Sequence, residues 1–181
     1  GMSLDLGAVA KGFATEIVVN ELIEEGFTSF IVSSGGNIRT VGSPRDGARS
    51  KWSIGIQDPD GNTLIPTGNN IDTVYVNDAS IVTSGDYQRY YVVDDERIHH
   101  LIDPSTLMPA NHYRAVTVVT LDSGVADFLS TTVFLLPYEK SRALVESLDG
   151  VEALWIMPDG SLNATEVMKK MLKIMGGASG K

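Results

Sequence analysis

The order of short apolar segments constrains the fold more than any other feature of this sequence. β-branched and aromatic residues occur in short runs that are separated by glycine, proline and aspartate, a pattern typical of strands and turns. These runs do not alternate with helices, as the crossovers of a parallel sheet would require. The pattern therefore predicts an α+β fold with a mostly antiparallel sheet and packed helices. The predicted strands are Thr28–Val32, Ile38–Val41, Trp52–Ile56, Thr73–Val76, Ser80–Val82, Tyr90–Val93, Ile98–Ile102, Ala115–Thr120 and Val151–Ile156.

Helices are predicted in four places. In the first, apolar residues recur at three- and four-residue spacing from Val9 to Ile23, and Gly26 supplies a stop. The predicted helices are Ala8–Glu25, Val125–Leu136, Lys140–Leu148 and Thr165–Met175.

The chain has 181 residues, of which 43% are hydrophobic, enough to build one ordinary core. We expect a single domain over residues 3–175. Small and polar residues fill positions 176–181, which we expect to form a frayed tail.

Charge and composition exclude several kinds of partner and site. Lys and Arg number 14 against 23 Asp and Glu, so the net charge is -9. This balance argues against binding to nucleic acid and to anionic lipid, and a phosphate ligand would call for a divalent cation as well. The absence of cysteine excludes disulfides, thiolate metal sites and a cysteine nucleophile. The sequence has neither an apolar stretch near the ~20 residues of a membrane span nor a secretory signal pattern, and it leaves the compartment and oligomeric state open.

Asp127 and Thr131 are spaced by four residues on a predicted helix, so their oxygens lie on one face. A carboxylate and a hydroxyl are hard ligands suited to Mg²⁺ or Ca²⁺. The alternative is a solvated aspartate and a threonine that bonds back to its own helix. The apolar residues around them weigh against full solvation, because a charge in such surroundings needs a partner.

His99 and His100 are neighbours in a predicted strand, so their side chains should point to opposite faces. One of them can then face a site, and His100 could act as a general base. The alternative is a hydrogen-bonded structural histidine.

Three glycine-containing segments could contact an anion. Ser33–Asn37 and Thr83–Tyr87 each follow a strand, although ordinary turns use the same residues. Asp5–Gly12 opens the first helix, where free amide groups favour an anion and Lys11 could pair with a phosphate. The alternative there is an Asp5 N-cap with a solvated lysine.

Taken in order, these segments resemble the ApbE family of FAD:protein FMN transferases. The matching blocks are DLGAVAKGFA (5–14), SSGGNI (33–38), VTSGDYQRYY (82–91), HHLIDPSTLMP (99–109) and ADFLSTTVFLL (126–136). Five ordered blocks are far more specific than any one of them. The resemblance implies an ApbE-like, T-fold-like core that corresponds to the C-terminal half to two-thirds of a family member, without the family's N-terminal part.

The resemblance implies Mg²⁺-dependent transfer of FMN from FAD to a Thr or Ser hydroxyl of an acceptor protein, with release of AMP. It implies Mg²⁺ bound by Asp127, Thr131 and the backbone carbonyl of Ala8, and His100, Asp127 or both as the proton acceptor. The helices that carry Ala8 and Asp127 should then lie side by side.

The resemblance also implies that Asp5, Lys11, Leu101 and the turn of Thr83, Ser84 and Gly85 lie near FAD. Two positions depart from the family pattern. Leu107 stands where Gly is usual, which would alter the backbone of that loop, and Ala8 stands where Gly is common.

Three hypotheses follow from these observations. The first is a flavin transferase, or the core part of one, which acts on FAD and a flavin-acceptor protein; many family members are exported lipoproteins. The second is a shortened module that binds flavin and metal without transfer. The third is a structural protein whose motif residues only support the fold.

Overall fold

The centre of the fold is a six-stranded sheet in which every neighbouring pair is antiparallel. We describe it from a computed structural model, which covers residues 1, 3–61 and 70–181. The described strands are β1 Phe30–Ser34, β2 Asn37–Val41, β3 Trp52–Gln57, β4 Asn70–Val76, β5 Ser80–Gly85, β6 Tyr90–Val93, β7 Glu96–His99, β8 Ile102–Asp103, β9 Met108–Pro109, β10 Ala115–Thr120, β11 Glu152–Ile156 and β12 Leu162–Ala164. The sheet order is β1-β2-β5-β10-β11-β12, and the remaining strands form three two-stranded sheets. The predicted α+β fold with antiparallel pairing is confirmed.

Helices and a second small sheet cover the two faces of the central sheet. The described helices are α1 Ala10–Glu24, α2 Ser123–Leu135, α3 Tyr138–Glu146, α4 Glu166–Met171 and α5 Lys173–Gly176. On one face, α2 and α3 bury Val133 and Phe134 against Val116 and Trp155 of the sheet. On the other face, the β3–β4 hairpin and α4 pack on the opposite side chains of β10 and β11. Successive side chains along these strands point to opposite faces of the sheet and so pack into two separate hydrophobic cores.

The single helix predicted over Thr165–Met175 is two short helices. Leu172 lies between them in an extended conformation, with φ -88° and ψ 140°. It is fully buried, and it forms an isolated antiparallel bridge with Val74 of β4. Burial of this leucine against β4 therefore overrides the local helical pattern.

The strand predicted at Ile98–Ile102 begins and ends earlier, because the β6–β7 turn is tighter than predicted. Asp94 and Asp95 form the turn, with φ of 49° and 65°. Val93 pairs with Glu96, and Tyr90 pairs with His99, where β7 ends. His100 therefore lies outside the strand.

The chain end lies close to the start of β3. The carbonyl of Gly180 accepts a hydrogen bond of 2.7 Å from the Ser50 amide, within the segment that the sequence predicts to be a frayed tail. Across residues 1, 3–61 and 70–181, none of the helices has the length and apolarity needed to cross a bilayer.

Leu107, one of the two positions that depart from the pattern of the resemblance, has a left-handed backbone with φ 59°. Its side chain is 76% exposed, so packing of that side chain does little to offset the cost of the backbone strain. A left-handed residue with a Cβ costs about 1–2 kcal/mol, and glycine's extra chain entropy costs about 0.5–1 kcal/mol.

Leu107→Gly should therefore raise the free energy of unfolding by about 0.5–1 kcal/mol, or a few degrees in thermal midpoint. Leu107→Ala keeps the Cβ and should give no gain. Equal gains from both variants, measured by denaturant and thermal unfolding, would contradict the strain argument.

Candidate active site

One cavity of about 630 Å³ brings together every site residue that the sequence predicts. It lies between the start of α1, the end of β5, the segment after β7 and the inner face of α2. The predicted residues that line it are Asp5, Ala8, Lys11, Thr83, Ser84, Gly85, His100, Leu101, Asp127 and Thr131. Their roles stay predictions, but their convergence from four distant parts of the chain is a property of the fold.

A close crossing of α1 and α2 builds the floor of this cavity. At the crossing, a Cβ added to Gly12 would lie 2.1 Å from the Ser123 carbonyl oxygen and 2.7 Å from the Asp127 Cβ. Only glycine allows this approach. The predicted side-by-side arrangement of the two helices is thus correct, and it carries the N-terminal segment of α1 to the carboxylate of α2.

Asp127 is buried, with 4% of its side chain exposed, and polar groups of α1 surround its carboxylate. The Lys11 Nζ lies 3.0 Å from Oδ1 and 3.3 Å from Oδ2. The Gly12 amide donates to Oδ2 at 2.9 Å. The Asp127 carboxylate is therefore buried with polar partners and is not solvated, and the half-exposed Lys11 pairs with it.

The bond from Gly12 to Asp127 changes the start of α1. In a regular helix the Gly12 amide would donate to the Ala8 carbonyl four residues earlier. Here α1 begins at Ala10. The Ala10 amide donates to the Leu6 carbonyl and the Phe13 amide to the Val9 carbonyl, each at 2.9 Å, whereas the Gly12 amide between them donates to Asp127. Within the described turn at residues 5–12, the Ala8 carbonyl is thus left without its helical donor, beside the cavity.

Asp5 does not cap α1. The N-cap position is Val9, without a side-chain cap. The Asp5 carboxylate instead accepts a bond of 2.7 Å from the Gly7 amide, which tightens the turn that presents Ala8.

Hydroxyl groups of β5 and α2 form one wall. Ser84 Oγ lies 2.9 Å from Ser130 Oγ and 3.4 Å from Thr131 Oγ1. Thr131 Oγ1 also lies 3.5 Å from the Asp127 carbonyl oxygen, a long contact to its own helix of the kind that the alternative interpretation predicts. Thr83 Oγ1 lies 2.8 Å from Thr117 Oγ1. Among the described residues, no three His, Asp or Glu side chains are grouped to hold a metal.

The two adjacent histidines have different environments. His99 is buried, its Nε2 lies 3.0 Å from the Ala110 carbonyl, and its Nδ1 faces the Leu101 amide at 3.2 Å. These partners fix a neutral ring with the proton on Nε2, which donates while Nδ1 accepts. Desolvation lowers the pKa of His99 in the same direction. His99 is the hydrogen-bonded structural histidine.

His100 lines the cavity, and its Nδ1 lies 3.3 Å from the Arg89 carbonyl. Partial desolvation of the ring is the main cause that lowers the pKa of His100, and the charges of Arg89 and Lys11 act in the same direction. The imidazole is therefore predominantly neutral at pH 7, the state in which it can accept a proton.

Several residues that line the cavity were not predicted as site residues. Gly35 and Gly36 form the turn between β1 and β2, with φ of 55° and 94°, and both border the cavity. The turn interpretation of this segment is thus correct, and the turn also lines the site. Gln88 and Arg89 line the cavity as well. The block at 82–91 contained them, but a lone arginine in a sequence has no pattern that assigns it to a site.

Comparisons with known proteins give consistent relatives. The chain is 39% identical to the FAD:protein FMN transferase of Treponema pallidum (strain Nichols) over 182 residues, which cover 97% of this chain and 49% of that protein. It is 34% identical to the protein of the same name from Klebsiella pneumoniae (strain 342), covering 86% of this chain and 46% of that one.

Solved structures agree. The ApbE protein of Thermotoga maritima superposes with a TM-score of 0.81 at 34% identity, covering 93% of this chain and 53% of that one. The apo form of the Pseudomonas stutzeri flavinyl transferase ApbE gives 0.75 at 29% identity, covering 98% and 53%.

The chain spans about half the length of the relatives that it matches. The family model described as ApbE family matches residues 1–155, which is most of the chain. With close relatives at more than 30% identity and a shared fold, the protein belongs to the ApbE family.

Proposed function

We propose that this chain carries the chemistry of flavin transfer: with Mg²⁺, it moves FMN from FAD to a Thr or Ser hydroxyl of an acceptor protein and releases AMP. The observation that carries this proposal is the cavity that Lys11, Arg89 and His100 line together with the buried carboxylate of Asp127. Cationic groups, a neutral base and an anion with nearby oxygens are the groups that phosphoryl-type transfer needs. The names of the relatives support FAD as the substrate.

The residues fit a magnesium ion. Mg²⁺ prefers oxygen ligands and keeps several waters. Asp127 supplies a carboxylate, Thr131 a hydroxyl, and Ala8 a carbonyl without its helical donor, and all three line the same cavity. When bound there, the ion would neutralise charge on the diphosphate.

The remaining steps use groups of the chain itself. Lys11 and Arg89 would hold the diphosphate, and backbone at Gly35 and Gly36 lets it approach closely. The acceptor hydroxyl oxygen forms a bond to the phosphorus of the FMN half. The bond from that phosphorus to the bridging oxygen breaks, and AMP leaves with that oxygen. The hydroxyl proton passes to Nε2 of His100. The other ring nitrogen, Nδ1, lies 3.3 Å from the Arg89 carbonyl and donates to it, so Nε2 is the nitrogen that can accept a proton.

The direct test incubates this chain with FAD, Mg²⁺ and a flavin-acceptor protein. We expect an acceptor mass increased by one FMN group, and AMP in equal amount. Binding of FAD without any transfer would instead support the flavin-binding module, and no binding at all would contradict the proposal.

His100→Ala should reduce transfer by roughly 10²-fold, the usual scale for a general base. Transfer by the unsubstituted protein should fall as the pH drops below the lowered pKa of His100, since the protonated ring cannot accept a proton. His100→Ala should remove that dependence.

His99→Ala is the matched control. It should lower the free energy of unfolding by about 1–3 kcal/mol, because the Ala110 carbonyl and the Leu101 amide lose a buried partner. Transfer per folded molecule should change far less than in His100→Ala. Equal losses of transfer in the two variants would refute the assignment of the base.

A further inference from the structure

Lys11 pairs with the buried carboxylate of Asp127 and lines the cavity in which the diphosphate is proposed to bind. Its ammonium lies 3.0 Å and 3.3 Å from the two oxygens of Asp127. The carboxylate is buried, whereas 41% of the lysine side chain is exposed, and Lys11 lines the cavity. The buried partner is therefore fixed and the half-exposed partner is able to move.

The carboxylate has little room for a second cation. Oδ2 already accepts a hydrogen bond of 2.9 Å from the Gly12 amide. Oδ1 is the oxygen that lies nearer to the Lys11 ammonium, at 3.0 Å. A metal ion on Oδ1 would stand within a few ångströms of the ammonium in a partly buried site, where like charges repel strongly. The ion and the lysine are thus alternatives at this oxygen.

The cavity offers the Lys11 side chain a second position, away from Asp127. Its Cδ passes 3.6 Å from the position of a Cβ on Gly35, along the turn that borders the same cavity. Four flexible methylenes allow its ammonium to exchange one anion for another within that space.

We propose that Lys11 is the counter-ion of Asp127 in the metal-free protein and is displaced from it by Mg²⁺, which releases its ammonium to the diphosphate. The lysine thereby keeps the buried carboxylate compensated until the metal arrives, and it positions the substrate only afterwards. This inference rests on the proposed function for the metal site at Asp127 and for the identity of the diphosphate, but the competition between Lys11 and Mg²⁺ can be measured without any flavin.

The first measurement is Mg²⁺ binding by calorimetry in the absence of any nucleotide. Lys11→Met removes the competing charge and keeps the length of the side chain, so Mg²⁺ affinity should rise about tenfold or more. Lys11→Arg keeps the charge and should bind Mg²⁺ as weakly as the unsubstituted protein. Lys173→Met, on exposed α5 beyond the opposite face of the sheet, makes the same change in net charge and should alter the affinity less than twofold.

The second measurement is FAD binding at saturating Mg²⁺. Lys11→Met should weaken it about tenfold, opposite in sign to its effect on the metal. A residue that only supports the fold would weaken both, and one that only binds phosphate would leave Mg²⁺ affinity unchanged; either result overturns the proposal. Because the first measurement contains no flavin, a failure of FAD to bind counts against the proposed function separately.

Wild-type protein provides a test that does not depend on a variant's stability. The ammonium resonance of Lys11, followed by ¹⁵N-detected NMR, should shift when Mg²⁺ is added without nucleotide. An unchanged resonance at saturating Mg²⁺ would show that the ion pair persists and would refute the displacement.

Discussion

Asp127→Asn is expected to reduce FMN transfer by at least 10²–10³-fold and to remove detectable Mg²⁺ binding, since it deletes the only charged ligand of the proposed ion. The asparagine carbonyl oxygen can still accept the Gly12 amide, which in the native protein bonds to Oδ2. The helix crossing should therefore survive, and the loss should concern chemistry more than folding. Mass spectrometry of the acceptor and calorimetry with Mg²⁺ measure the two effects.

Asp149→Asn, at an exposed turn, removes the same charge and should leave both quantities unchanged. A chelator should bring the unsubstituted protein to the level of Asp127→Asn and have little further effect on that variant. Transfer above a tenth of the native rate in Asp127→Asn, or full transfer in chelator, would contradict a metal held at this carboxylate.

Gly12→Ala is expected to be the most damaging change to the fold near the site. The new Cβ would lie 2.1 Å from the Ser123 carbonyl oxygen, which is backbone and cannot rotate away. The helices would have to separate, at a cost of about 1–3 kcal/mol or more for overpacking. Separation would also stretch the bond from the Gly12 amide to Asp127, so Mg²⁺ affinity should fall together with the free energy of unfolding.

Gly124→Ala tests the same crossing from α2. Its Cβ would lie 3.2 Å from the Asp122 Oδ1 and 3.5 Å from Phe13 backbone, contacts that small shifts relieve. Replacing a helical glycine also gains up to about 1 kcal/mol of helix propensity, so the net change should stay within about 1 kcal/mol. Denaturant unfolding measures the stability of both variants. Equal stabilities of Gly12→Ala and Gly124→Ala would mean that the two helices can move apart at little cost, which would contradict a crossing that requires glycine at position 12.

Local patterns in the sequence predicted most elements because they depend on neighbours along the chain. Apolar spacing located α1 and α2 to within two residues of their observed ends. The pattern failed at Leu172, where a distant strand decides the conformation. It also failed for Lys11 and Asp5, whose partners could not be read from adjacent residues.

The sequence by itself determined the fold class, the family and the residue types of the site, because strand and helix periodicities and ordered motifs are written in consecutive residues. Only the tertiary structure decided which groups meet. The approach of Gly12 to Ser123, the diversion of the Gly12 amide to Asp127 and the pairing of that carboxylate with Lys11 all join residues more than a hundred positions apart. Such contacts depend on how two helices cross, and no local pattern encodes that crossing.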